Sequence, residues 1–288
     1  MSTKAQTGCE VTSDVNDICI GDEVRLEFSY PPPGNYSVEF DGVNQLIEVP
    51  HQAALDFGNT EFSVEFWFNP DNTAGPAIMF SKISATGVGY AIGINAGLLT
   101  VTLNDGSGVP VVITGTTPLQ TGVWQHCAVT FDRMGDCTLY LDGLIDAIQT
   151  IVGVGSIANS DAIGIGGPAV NVGGLANYFA GKIDEARVWS RVIAGTEISA
   201  NLTLHLNPDN EIGLNGYWDF NEGGVGVGGV ARDCGIAMQD GSLLNGTAFS
   251  ADVKTFTWDF GVTWNTGDVG YVLFKNPEDT TKYGARSG

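Results

Sequence analysis

The residues able to move protons or hold cations are mostly carboxylates, and their spacing limits what they can do. Asp184 and Glu185 are neighbours in the run Gly181 to Trp189. On a strand of period two they point to opposite faces and do not form a catalytic pair. On that reading Ile183, Glu185, Arg187 and Trp189 share one face, and Asp184, Ala186 and Val188 the other. Glu39 and Asp41 do share a face, whereas Asp219 and Glu222 lack the period. The three histidines are His51, His126 and His205. No Gly-x-Ser-x-Gly elbow precedes a helix, so a Ser/His/Asp hydrolase has no support. His126 lies inside a strand-like run and reads as a hydrogen-bonded sheet residue.

The five cysteines, Cys9, Cys19, Cys127, Cys137 and Cys234, are odd in number and irregular in spacing. That makes a poor disulfide framework, although Cys9 and Cys19 could pair. If the hairpin turns around Met134, Phe131 faces Cys137 and Cys127 faces Leu141. The two thiols are then too far apart to bond and read as small buried hydrophobes. No CxxC or Cys/His cluster suggests zinc.

The elements that would position these groups read as strands. Val24 to Tyr30 alternates and is stopped by Pro31-Pro32-Pro33-Gly34. Tyr36 to Phe40, Gln45 to Val49 and Phe62 to Phe68 follow. Ile78 to Lys82, Gly89 to Ile94, Leu98 to Leu103 and Val109 to Ile113 come next. Trp124 to Phe131 and Thr138 to Leu141 form a hairpin, and Asp142-Gly143 is a dipeptide that hairpin turns favour. Ala162 to Gly166 and Tyr178 to Ile183 lead into the run ending at Trp189. Thr196 reads as the N-cap of one helical turn through Ile198. About a dozen short strands joined by Gly, Asp and Asn turns imply an all-β sandwich of two antiparallel sheets.

The chain has 288 residues, 40 of them glycine, and a formal net charge of −21 from 12 Lys+Arg and 33 Asp+Glu. So acidic a surface repels phosphate backbones and anionic lipid, which argues against nucleic acid and membrane partners. It suits solubility at high salt, cation binding or a basic partner. No apolar run is long enough to span a bilayer. Met1 to Gln6 is polar, and no secretory signal is visible. The domain reading is 1–36 as an N-terminal extension with one strand, 37–258 as the main domain, and 259–288 as a C-terminal extension.

Five stretches in order carry a family resemblance: Phe40 to Asn44, Phe62 to Phe68, Gly122 to Phe131, Leu139 to Gly143 and Gly181 to Trp189. Together they resemble the laminin-G-like, concanavalin-A-like jelly-roll domain. Gly213 to Gly223, Leu244 to Thr247 and Trp258 resemble the segment that often flanks such domains in bacterial surface proteins. The resemblance implies a jelly-roll sandwich, and within it a non-enzymatic module that binds a glycan or a protein at a cell or particle surface, outside the cell. An alternative is a structural or decoration component of a virion or appendage, whose partners are other subunits of that assembly. A divergent glycan hydrolase is a third. Glycanases with this sandwich carry a Glu-x-Asp-x-x-Glu strand, and the nearest match here, Glu39 to Asn44, places the amide Asn44 where the acid/base carboxylate is needed.

The resemblance also implies a structural calcium between the first and last strands, with Asp184 as ligand and Asp41 and the Gly42 carbonyl as neighbours. Two side chains alone do not complete a calcium shell. The competing role for Asp184 is to accept backbone donors and pair with Lys182 or Arg187. For sugar contacts, Tyr90, Tyr178 and Trp189 are the candidates by loop or strand-end position. Trp67, Trp124 and Trp218 read as core.

Overall fold

The computed structural model describes residues 36–170, 177–221 and 229–254 with their side chains. It also gives the backbone of 11–13, 26–28, 257–258, 270–271 and 286–287. Cys9, Cys19 and Glu222 lie outside the described residues.

Two antiparallel sheets of eight strands each face one another. In the first sheet the order is Leu144–Thr150, Asp136–Leu141, Gln125–Phe131, Phe62–Pro70, Ala180–Trp189, Ser37–Asp41 and Ala248–Ser250, with Leu214–Trp218 as the eighth strand, paired to Ala180–Trp189. In the second it is Val230–Ala231, Gly241–Leu244, Leu46–Val49, Ile163–Ile165, Ala77–Ile83, Gly89–Asn95, Leu98–Asn104 and Val111–Thr114. Outside the sandwich, Val11–Ser13 pairs with Leu26–Phe28.

The core follows from strand alternation. Phe62, Val64, Phe66 and Phe68 all enter the main core, and so do Val101 and Leu103 of the facing sheet. Phe62 stacks on Phe57 and Phe131, with ring centroids 4.8 and 4.1 Å away. Burial of aromatic area on this scale is the main term holding the two sheets together. The hairpin register is the one read from the sequence: Phe131 pairs with Cys137 and Cys127 with Leu141. Both thiols are free and buried. Asp142 and Gly143 have φ of 51° and 76°, the left-handed pair that a two-residue hairpin turn requires.

The strand Ala180–Trp189 organises the first sheet. One edge pairs with Phe62–Pro70 along its length. The other edge is shared: Ala180 to Ile183 pair with Ser37–Asp41, and Ala186 to Trp189 pair with Leu214–Trp218. Between the halves lies a bulge. Asp184 stands opposite Trp67 but Arg187 stands opposite Glu65, so one extra residue is inserted, and Glu185 has φ of 52°. This overturns the simple alternation expected from the sequence. Ile183, Ala186 and Val188 enter the main core, while Trp189 belongs to a second, outer cluster.

That outer cluster covers the far side of the first sheet. Ile193, Ile198 and Leu206 close over Ala128, Tyr140, Trp189 and Tyr217. The helix that carries Ile198 runs from Gly195 to Asn201, and its N-cap is Ala194 with no side-chain cap bond, not Thr196. Packing of Ile198, rather than a cap, holds it in place.

Candidate functional site

Beneath the outer layer the first sheet holds a chain of alternating acids and bases. Arg187 lies at its centre. Its Nη2 donates to Glu185 Oε2 at 2.6 Å and to the Leu204 carbonyl at 2.6 Å, and its Nη1 donates to Glu65 Oε1 at 3.3 Å. Trp189 Nε1 also donates to Glu65 Oε1, at 3.2 Å. Glu185 accepts from the Tyr217 hydroxyl at 2.6 Å and meets His205 Nδ1 at 2.8 Å. The other nitrogen of His205 faces Asp219 Oδ2 at 3.5 Å. The guanidinium lies over the Tyr217 ring, 5.2 Å from its centroid.

Burial works against every charge in this chain, and pairing decides which survive. For Glu185, His205 and Arg187 outweigh burial and hold the carboxyl down to about 2. His205 would be lowered by burial, but Glu185 and Asp219 raise it above the ordinary imidazole value. Burial pushes Glu65 and Asp219 up, against the pull of Arg187 and His205 respectively. It pushes Asp184 well up, helped by the charge of Glu185. His126, buried and near Arg187, drops to about 3 and stays neutral. As a hydrogen-bonded sheet residue it pairs with Trp67 and donates its backbone N–H to Asp142 Oδ1 at 2.8 Å, while its ring packs edge-on against Trp67 with Nε2 3.6 Å from Glu65 Oε2 and Nδ1 unpartnered. Glu65, Asp184, Glu185 and Arg187 are buried, while the side chains of His205 and Asp219 keep 11% and 13% exposure. The network locks the bulge and the outer layer onto the sheet.

The sequence-derived metal residues do not meet. Asp41 is exposed, pairs with Ala180, and spends Oδ1 on the Val43 backbone N–H at 2.8 Å. Asp184 is buried four positions along the same strand, with Oδ1 accepting from the Glu185 N–H at 2.9 Å. Gly42 turns beside Ala180 with φ of 74°. Among the described residues no group of three or more His, Cys, Asp or Glu could hold a metal ion.

The aromatic candidates also separate. Tyr90 is buried in the main core against Phe62, Phe80 and Phe131, because its position on Gly89–Asn95 points inward. Trp189 is buried in the outer cluster. Neither presents a surface to a ligand. Trp67 and Trp218 are core as expected, but Trp124 is half-buried, with Nε1 donating to Asp252 at 3.3 Å. Tyr178 alone among the three candidates stays half-exposed. It forms a bridge with Ile78 at the rim of the second sheet, and its ring lies where a Cβ on Gly167 would be, 2.2 Å away.

Tyr178 borders a feature that the sequence reading missed. Among the described residues, only segment 167–169 crosses the outer face of the second sheet, and no layer like that of the first covers it. Its register places Ser81, Ala91, Thr102 and Val112 in one row, and Gly93, Thr100 and Thr114 in the next. Thr100 and Thr102 are half-buried, and Val112 and Thr114 are exposed. Segment 167–169 crosses over Gly164, leaving no room there for a Cβ, which would stand 2.1 Å from the Gly167 carbonyl. That crossing separates Glu48, on the neighbouring strand, from the floor. Ser81 Oγ, at the foot of the crossing, is buried and has no hydrogen-bond partner. The signal was present as Gly, Ala and Thr at alternate positions of Gly89–Asn95 and Leu98–Asn104, but alternation alone does not say which sheet face stays bare.

The profile described as the concanavalin A-like lectin/glucanases superfamily, laminin G type 3, matches residues 41–199, more than half of the chain. The chain belongs to this family. The match begins at the last residue of the strand Ser37–Asp41 and ends within the covering helix Gly195–Asn201. Among solved structures, the sandwich is similar to that of a protein from Bacteroides ovatus ATCC 8483 assigned as carbohydrate-binding. The two are 21% identical with a TM-score of 0.61, covering 83% of this chain and 70% of that one. A heptameric SAP-like pentraxin from Limulus polyphemus follows at 15% identity and a TM-score of 0.49, covering 59% of this chain and 83% of that one. The binding domain of Paraclostridial Mosquitocidal Protein 1 is 17% identical with a TM-score of 0.48, covering 68% of this chain and 46% of that one. No curated protein sequence matches the chain. Among the described residues of this laminin-G protein, no helix is long and apolar enough to cross a membrane.

Proposed function

We propose that this protein is a non-enzymatic, lectin-like module that binds glycans through the bare outer face of its second sheet, displayed at a cell or particle surface. One observation carries the reading: the described residues cover one outer face of the sandwich and leave the other open, floored by Gly93, Ala91, Thr100 and Thr102 and bordered by Tyr178. Threonine hydroxyls both donate and accept, and a tyrosine edge gives an apolar surface with a polar tip, which suits a ring bearing hydroxyls. The carboxylates do not support hydrolysis. Glu65, Asp184 and Glu185 are buried, and the strand that carries Glu39 and Asp41 has Asn44 beyond it. The test is a glycan array probed with wild type and with Tyr178→Ala. Binding that weakens in the variant at unchanged melting temperature is expected. Turnover of any polysaccharide would sink the non-enzymatic part.

A second reading, an assembly component, draws on a different surface. The outermost strand of the first sheet, Leu144–Thr150, exposes Leu144, Ile145 and Ile148 to 74%, 60% and 55%. An apolar edge strand is a template for another chain. Concentration-dependent association abolished by Ile148→Lys would favour it.

A further inference from the structure

At one rim of the sandwich a buried lysine is held against a side-chain amide. Lys82 lies two residues beyond the core residue Phe80 on Ala77–Ile83, so both side chains point between the sheets, and Lys82 pairs with Tyr90 across the ladder. It is only 2% exposed. Its Nζ donates to the Asp161 carbonyl at 2.7 Å and to the Asn159 carbonyl at 3.0 Å. Two further atoms lie close, His51 Nδ1 at 3.2 Å and Asn159 Oδ1 at 3.5 Å. Burial pulls the amine below the ordinary lysine value, against the charges of Asp56 and Asp161. An ammonium has no lone pair, so while Lys82 is charged His51 Nδ1 is the bare nitrogen of its ring and can take a proton.

The Asn159 amide is fixed from both ends. Its Nδ2 lies 3.4, 3.2 and 3.3 Å from the carbonyls of Lys82, Val88 and Ile157. Its Oδ1 accepts from the Asp161 N–H at 3.1 Å. Three acceptors around one atom and a main-chain donor on the other settle which is nitrogen and which is oxygen. The amide carbon is therefore one bond from an atom that the lysine already touches. Its oxygen is already polarised by a fixed N–H of the kind that steadies an oxyanion.

From this geometry we infer that Lys82 and Asn159 join in an intramolecular isopeptide bond. Nζ gives one proton to His51 Nδ1, and the freed lone pair attacks Asn159 Cγ. As the Nζ–Cγ bond forms, the carbonyl pair moves onto Oδ1, beside the Asp161 N–H. A second Nζ proton passes to Nδ2. The pair on Oδ1 then returns, the Cγ–Nδ2 bond breaks, and ammonia leaves. The His51 ring is exposed and hands its proton to solvent. Nothing is oxidised or reduced, so the cross-link forms in any redox compartment. It joins residues 77 apart in the chain and restricts the unfolded state as a disulfide would, in a protein whose described cysteines are all free.

The experiment measures the intact mass of the denatured full chain for wild type, Lys82→Met, Asn159→Ala and His51→Gln, followed by peptide mapping. The expected wild-type mass is the sequence mass less one ammonia, with a branched peptide carrying both Lys82 and Asn159. Lys82→Met and Asn159→Ala should keep their full sequence masses. In His51→Gln the loss of ammonia should be slowed, so freshly made protein is a mixture of the two masses. Wild type at its full sequence mass would overturn the inference, and this reading needs no variant to fold. Loss of ammonia that persists in Asn159→Ala would place it elsewhere, for instance at Asn245-Gly246, and would also overturn it. Loss of water in its place would make an aspartate the partner and remove Asn159 from the reaction. Cross-linking as fast in His51→Gln as in wild type would remove His51 as the base.

Discussion

Glu185 and Arg187 are two residues apart on one strand, yet their side chains join at 2.6 Å in a buried ion pair. The bulge at Glu185, with its φ of 52°, puts the carboxylate where it can meet Arg187, His205 and Tyr217 together. A backbone conformation that a non-glycine residue rarely adopts is held by three polar contacts from three different segments.

Arg187→Met should therefore be strongly destabilising. It leaves Glu65 and Glu185 buried without their shared cation, a loss of about 3–5 kcal/mol for such a pair. Replacing Glu65 and Glu185 by Gln in the same chain should recover part of this. Denaturant unfolding of the single and triple variants checks it. A single variant within 1 kcal/mol of wild type, roughly the effect of an average substitution, would mean the network contributes little.

His205 should make the fold less stable in alkali. Its folded pKa is raised, so its contribution is complete below the unfolded value, about 6.5, and is lost as pH rises through the folded value. His126 acts at the opposite end. Held neutral down to about 3, it costs stability as pH falls below about 6.5, because only the unfolded chain takes up that proton. Glu185, held at about 2, also loses its contribution in acid. Melting temperature against pH for wild type and His205→Gln isolates the first effect. The two curves should converge in alkali, and parallel curves across the whole range would refute the assignment.

Calcium should leave the melting temperature unchanged. Burial and the neighbouring charge of Glu185 push the Asp184 carboxyl well above the ordinary carboxylate range, which disfavours the ionised form a hard cation needs. Asp184→Asn keeps the acceptor for the Glu185 N–H and should melt within a few degrees of wild type. The comparison is melting of both proteins in calcium and in chelator. A calcium-dependent rise in wild type that vanishes in Asp184→Asn would instead make Asp184 a metal ligand.

Cys127 and Cys137 should resist alkylation in the native protein and react fully once it is unfolded. Both are buried, and burial pushes both thiols well up, away from the reactive thiolate. Mass spectrometry after native and denaturing alkylation reads this directly. A cross-link between the two would contradict the register that sets them on different rungs.

The amino-acid sequence by itself determined the sandwich, its hairpin register and the fate of these two thiols, because period-two alternation and turn chemistry are local. Phe62 to Phe68 needs only its own pattern to be a core strand, and Asp142-Gly143 only its own φ preferences to be a turn. The side-chain geometry at Glu185 was decided in three dimensions. One inserted residue shifts every later side chain of that strand, and what stabilises the insertion comes from Glu65, His205 and Tyr217, far away in the chain. Trp189 looked like a surface aromatic and is not, because the segment Ile193 to Leu206 crosses its sheet, whereas Tyr90 is buried because it shares the core face of its own strand with Ile92 and Ile94. Among the described residues no such layer crosses the face of Thr100 and Thr102. Local patterning can mark a side chain as outward, but only the packing of distant segments settles whether outward means solvent.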